Sequence, residues 1–121
     1  MPPRILLDTN VLLMPFQFRL NLQAELKRLF GEVDLVVPSP VMDELRLLAE
    51  GDRDALGALR LAETFGVVEA AGSADDALID LGVRWKAPVA TNDAALLERL
   101  RAAGVPRVFL RSRNHLVVEG L

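Results

Sequence analysis

Residues 4–15 read RILLDTNVLLMP. Ile5, Leu6 and Leu7 make a short apolar run that stops on Asp8, with Thr9 and Asn10 behind it and no glycine to form a plain turn. A run that is continuously apolar, rather than alternating, fits a strand buried on both faces, as in a parallel sheet covered by helices. Similar runs recur at DLVVP (34–38), GVVEA (66–70), APVAT (87–91) and RVFLR (107–111), with longer helical patterns between them. This alternation predicts an α/β fold with a parallel sheet.

The intervening segments carry helix signals. NLQAELKRLF (21–30) sets Leu22, Leu26, Leu29 and Phe30 on one face. Ser39 followed by Pro40 reads as an N-cap with proline in the first turn, opening a helix to about Glu50. GDRD (51–54) interrupts it, and another helix is expected from about Asp54 to Phe65. Ser73 opens the next, and a last helix runs from near Asn92 to a C′ glycine at Gly104. The tail predicts a short final strand at His115–Glu119. No repeat, low-complexity tract or linker divides the 121 residues, so a single domain over 1–121 is expected.

Composition narrows the chemistry. The absence of cysteine excludes disulfides and thiolate metal sites, and cytoplasm is the compartment expected. No stretch approaches the roughly 18 apolar residues of a membrane span, so a soluble protein is expected. Net charge is −3, unevenly placed: Arg84 to His115 holds 7 basic residues against 2 acidic ones. Within it, Arg84, Lys86, Arg99, Arg101, Arg111 and Arg113 are candidates for phosphate contacts that position a strand without reading its sequence. There is no G-x-x-x-x-G-K-[ST], no G-x-G-x-x-G and no nucleophile elbow.

In a parallel sheet all strands end on one side, where ligands bind. Asp8 ends the first strand, and Asp93 follows the fourth after Thr91 and Asn92. Asp75 and Asp76 open a helix, and Glu44 lies one turn into another. At about 100° per residue, Glu44 falls at the boundary of its helix's apolar face, with Asp43 and Leu47 pointing away. The same wheel sets Asp75 nearer the apolar face of its helix and Asp76 opposite. Taken singly, Asp8, Asp76 and Asp93 also suit helix capping. If the topology reverses beside the first strand, they are expected to converge on one crevice and crowd negative charge: two carboxylates about 4 Å apart repel by roughly 4 kcal/mol at an effective dielectric of about 20. All-oxygen ligation of that kind suits Mg²⁺ or Mn²⁺. Zinc is disfavoured, since His115 is the sole histidine.

LLDTNVLL, VVPSPVMDEL, SADDALIDLG and VATNDAALLERL, in this order, resemble the PIN domain family of metal-dependent ribonucleases. The ending AAGVPRVFLRSRNHLVVEG looks closer to archaeal and eukaryotic PIN proteins of ribosomal RNA processing than to type II toxins, which share the fold. The resemblance implies a three-layer α/β/α sandwich around a parallel sheet of about five strands, order 3-2-1-4-5. It implies a cytoplasmic Mg²⁺- or Mn²⁺-dependent endoribonuclease, either processing RNA or acting as a toxin. Asp8, Glu44, Asp76 and Asp93 match its metal-binding acids, and Thr9 and Asn10 match their polar companions; Thr91 and Asn92 are further candidates for orienting these groups or contacting substrate. Asp75 stays open beside Asp76. RNA is the implied substrate, and a second copy, an antitoxin or a ribosome-assembly protein are the implied partners. Two alternatives stand beside this reading: a PIN-fold module that binds RNA or protein without cutting, and a phosphoacceptor receiver domain. The receiver uses a lysine after its last core strand, where RVFLRSRN offers only arginines.

Overall fold

The computed structural model describes residues 2–121. Its elements are β1 (Arg4–Leu7), α1 (Thr9–Gln17), α2 (Leu22–Phe30), β2 (Asp34–Pro38), α3 (Ser39–Ala49), α4 (Arg53–Ala62), β3 (Gly66–Val68), α5 (Ala74–Trp85), β4 (Val89–Ala90), α6 (Ala94–Ala102), β5 (Arg107–Arg111) and β6 (His115–Glu119). They form one sheet in the order β3-β2-β1-β4-β5-β6. The expected order 3-2-1-4-5 holds, all five strands being parallel, and the short tail strand adds a sixth, antiparallel to β5. A receiver domain has the order 2-1-3-4-5. Here β3 lies outside β2, which removes that alternative.

Burial explains the continuous apolar runs. Ile5, Leu6 and Leu7 in β1 and Val89 and Ala90 in β4 are fully buried, with helices over both faces of the central strands. Register then aligns the strand ends. Leu6 pairs with Val36 on one side and Val89 on the other, so β1 and β4 finish level, and the Asp8 N–H donates to the Ala90 carbonyl at 3.0 Å. The position of α5 depends on Gly82: a Cβ there would come within 2.9 Å of Val105 Cγ1 and 3.1 Å of Val89 Cγ2. Even an alanine would force Val105 or the helix to shift, and a bulkier residue would press α5, which carries Asp75 and Asp76, away from the sheet.

Ser39 does not cap α3 as expected. The N-cap is Pro38, without a side-chain cap bond, and the Ser39 hydroxyl instead accepts from the Ala70 N–H at 3.0 Å, tying down the chain that leaves β3. Ser73 does cap α5, accepting from the Asp76 N–H, and Gly104 follows α6 at φ +74 as its C′ residue.

The outer edge of β6 is covered by side chains of α2. Glu25 accepts the Leu116 N–H at 2.8 Å, Arg28 donates to the Leu116 carbonyl at 2.8 Å, and the two side chains pair with each other. The outward-facing N–H and carbonyl of Leu116 are thereby satisfied, which blunts that part of the strand edge. The hydrogen bond from Arg28, then that from the Leu116 N–H, holds the Glu25 carboxyl below its ordinary value of 4.5. A lowered folded-state value means that the stabilisation is present above 4.5 and is lost as pH falls through the folded value. Glu25→Ala should therefore cost about 1 kcal/mol at neutral pH. In denaturant titrations across acid pH that cost should shrink; a pH-independent cost would mean that packing, not charge, is involved.

Candidate active site

The first strand ends on Asp8 because the carboxylate is a cap, a hydrogen-bond hub and a buried charge at once. Its Oδ1 accepts the Thr9 N–H at 2.8 Å, capping α1. Its Oδ2 accepts the Thr91 hydroxyl at 2.6 Å. Asp8 is 5% exposed and Thr91 wholly buried, so this pair sits below the surface at the carboxyl ends of β1 and β4. Asn10 adds a longer contact, its Nδ2 lying 3.5 Å from both Asp8 Oδ2 and Thr91 Oγ1.

A second layer of bonds fixes these groups. Asn10 Oδ1 accepts the Asn92 N–H at 2.9 Å, and Thr91 Oγ1 accepts the Asp93 N–H at 3.1 Å. Asn92 then reaches two elements: its Nδ2 contacts Met14 Sδ at 3.2 Å, and its Oδ1 accepts the Leu110 N–H at 2.8 Å. That last bond continues the β4–β5 ladder with a side chain after the β4 backbone has turned away. Thr9 and Asn10, and Thr91 and Asn92, thus bind the ends of β1, β4 and β5 into one network. The roles of Met14 and Leu110 had no sequence signal, since one is an ordinary core methionine and the other contributes only its backbone.

Burial raises the Asp8 carboxyl above its ordinary 3.8, and the hydrogen bonds from Thr91 and Thr9 oppose that rise. The negative charges of Asp75 and Glu44 push it further up. Glu44, exposed on α3, accepts the Thr9 hydroxyl at 2.9 Å and so is joined to Asp8 through a single residue. Asp75 is half-buried, as its place on the helical wheel indicates.

The other two acids lie differently. Asp76 is exposed and pairs with Arg99 of α6 at 2.8 Å; that hydrogen bond, chiefly, lowers its carboxyl below the ordinary value. Asp93 is exposed, and its Oδ1 accepts the Leu96 N–H at 2.9 Å as the N-cap of α6. Its link to the centre is the backbone N–H to Thr91. The acids whose charge bears on the Asp8 carboxyl are therefore Asp75 and Glu44, with Asp76 turned to a basic partner. The donor set is all oxygen, which suits a hard divalent cation. Among the described residues no three acidic or histidine side chains converge on one point.

The basic candidates divide by edge. Arg111 ends β5 and Arg113 follows it, on the same edge as Asp8. Arg84 and Lys86 close α5 at the opposite edge, roughly 14 Å along the helix from Asp75, and Arg84 pairs with Asp80. Arg99 holds Asp76, and Arg101, in the last turn of α6, pairs with Glu98. A cavity of about 700 Å³ also lies at the far edge, beside Arg4, Lys27 and Asp34. A smaller one of about 340 Å³ adjoins Asn10 and Asn92.

This strand order and acidic edge agree with the comparison by sequence: the profile of the family described as PIN like domain matches residues 5–113. The chain belongs to the PIN-like domain family. Among curated relatives of this PIN-like chain, Ribonuclease VapC4 of Methanocaldococcus jannaschii is 27% identical, the alignment covering 98% of each chain. Ribonuclease VapC9 of Archaeoglobus fulgidus is 29% identical over 93% of this chain and 86% of its own. Among solved structures, that of the PIN domain endonuclease Utp24 superposes with a TM-score of 0.83 at 29% identity, covering 99% of this chain and 93% of that one. A domain of a functionally unknown protein from Methanocaldococcus jannaschii shares the fold at a TM-score of 0.65 and 15% identity. The PIN-like chain is thus similar to proteins named as ribonucleases and to an endonuclease. Among the described residues no helix is long and apolar enough to cross a membrane.

Proposed function

We propose that this PIN-like domain is a Mg²⁺- or Mn²⁺-dependent endoribonuclease that hydrolyses phosphodiester bonds at Asp8. The observation that carries the reading is the buried, doubly bonded Asp8 carboxylate at the end of β1, linked through Thr9 to Glu44. Its relatives being named ribonucleases adds support.

Asp8 with Glu44, Asp75, Asp76 and Asp93 are the acids that would hold the metal, the ion drawing them together, since among the described residues no three of them meet at one point. A bound divalent ion supplies Lewis acidity and a more acidic water. The chain's own groups do the positioning. Thr91 and the Thr9 N–H keep each Asp8 oxygen in a fixed direction, and the Thr9 hydroxyl orients Glu44. The buried setting of Asp8 keeps bulk water from screening its charge, which strengthens its attraction for a cation. Arg113, just past the carboxyl end of β5, and Arg111, released from its long and exposed pair with Glu119, would hold phosphates of the RNA backbone.

The test is cleavage of a single-stranded RNA of defined sequence with Mn²⁺ or with chelator. Metal-dependent products with 5′-phosphate and 3′-hydroxyl ends are expected. Metal-independent 2′,3′-cyclic ends, or intact RNA under every divalent condition, would overturn the reading. The second outcome would favour a binding module, a reading supported by the engagement of Asp76 and Asp93 with Arg99 and the α6 backbone.

A further inference from the structure

We propose that the cavity between the end of α1 and the β5–β6 hairpin is a nucleobase subsite, holding the base next to the phosphodiester at Asp8. This rests on the ribonuclease reading above. The cavity, of about 340 Å³, is lined by Phe18, Leu97 and Phe109 together with Gln17, Asn10 and Arg113. That size falls at the small end of ligand sites, which run from about 300 to 1,000 Å³.

Its chemistry matches a base rather than a purely apolar group. A nucleobase offers flat faces that stack on aromatic rings and an edge of donors and acceptors. Phe18, 39% exposed at the C-cap of α1, and Phe109 in β5 supply rings from two elements. The Arg111 guanidinium lies 5.7 Å from the Phe109 ring centroid, which adds positive charge beside that ring. Gln17 is exposed and carries both an amide donor and an acceptor. Among the described residues ion pairs take up Arg84, Arg99, Arg101 and Arg111 but not Arg113, whose guanidinium can therefore turn to a ligand. An apolar peptide side chain would bury Arg113 and Gln17 without giving them partners.

Position decides which base. Asn10 lines the cavity, and its Nδ2 is 3.5 Å from Asp8 Oδ2, so the cavity begins one side chain away from the acid. Asn92 lines it too and fixes the β5 wall through the Leu110 N–H. The hairpin tip holds Ser112 at φ +56 and Arg113 at φ +61, a left-handed conformation that glycine adopts more easily. The turn thus keeps an arginine where a glycine would be the more relaxed residue.

The probe is a set of labelled single-stranded oligoribonucleotides, intact or with one abasic nucleotide, bound to the full chain in chelator and read by anisotropy. Cleavage with Mn²⁺ is measured separately. Phe18→Ala should weaken binding of intact RNA about tenfold. One abasic position should weaken wild-type binding similarly and make it insensitive to Phe18→Ala. Arg113→Gly should lower affinity while leaving the melting temperature equal or higher, which a merely structural arginine would not do. Base-dependent binding without cleavage supports the subsite and overturns the nuclease reading alone. Cleavage or binding that ignores both the abasic positions and Phe18→Ala overturns the subsite and leaves the nuclease reading standing. Absence of wild-type binding also overturns the subsite.

Discussion

Asp8→Asn should lower Mn²⁺-dependent RNA cleavage on the order of 100- to 1,000-fold, the scale on which loss of one charge-stabilising active-site group is felt. The same variant should fold, and its relative stability should depend on pH with a definite sign. Burial raises the folded-state Asp8 carboxyl above 3.8, whereas the unfolded chain ionises near that value. The stability associated with its proton is therefore full below 3.8 and is lost as pH rises through the folded value. At neutral pH the wild type holds a buried charge near Asp75 and Glu44 that asparagine lacks. Asparagine keeps one acceptor oxygen for Thr91 or for the Thr9 N–H, so the network loosens without coming apart. In chelator, the melting temperature of the variant minus that of the wild type should rise as pH climbs from about 3.8 toward 7. Unchanged cleavage would remove Asp8 from the mechanism. A variant that cleaves poorly and loses stability equally at every pH would make Asp8 a structural cap whose removal disturbs the site indirectly.

The parts of the fold that were legible are those in which one residue pattern has one physical outcome. Ile5 to Leu7 are apolar without alternation because helices cover both faces of β1, and Asp8 stands out because it breaks that run at the edge where parallel strands end. Thr91 and Asn92 were legible as companions through their place after β4. What they do was not: the bonds from Thr91 to Asp8 and from Asn92 to Leu110 join residues far apart in sequence, and only strand register brings them together. Ser39 shows how a local signal misleads. Ser-Pro is a good helix start, yet its hydroxyl is claimed by Ala70, which no local pattern anticipates. The basic stretch misleads differently. Counting charge from Arg84 to His115 merges the end of α5 at one edge of the sheet with the end of β5 at the other, because chain and space run in opposite directions along a crossover helix.

Asp75→Asn and Asp76→Asn should separate two readings that the sequence left side by side. The family pattern favours Asp76, because it directly precedes Ala77, Leu78 and Ile79, while the helical wheel sets Asp75 toward the apolar face. The exposures follow the wheel: Asp75 is half-buried, whereas Asp76 is exposed and engaged by Arg99. Asp75→Asn should lower cleavage by about 10- to 100-fold, as loss of a group that supports a metal site does. In chelator it should melt at the same temperature as the wild type or higher, since a repulsion with Asp8 is relieved. Asp76→Asn should cleave close to wild type and melt at the same temperature or lower, since its partner Arg99 is left without a carboxylate. The two substitutions remove the same charge one residue apart, so net charge and ionic strength cannot account for opposite results. If Asp76→Asn alone abolishes cleavage, the Arg99 pair must open for catalysis, and the acid face next to Asp8 is not the one that meets the substrate.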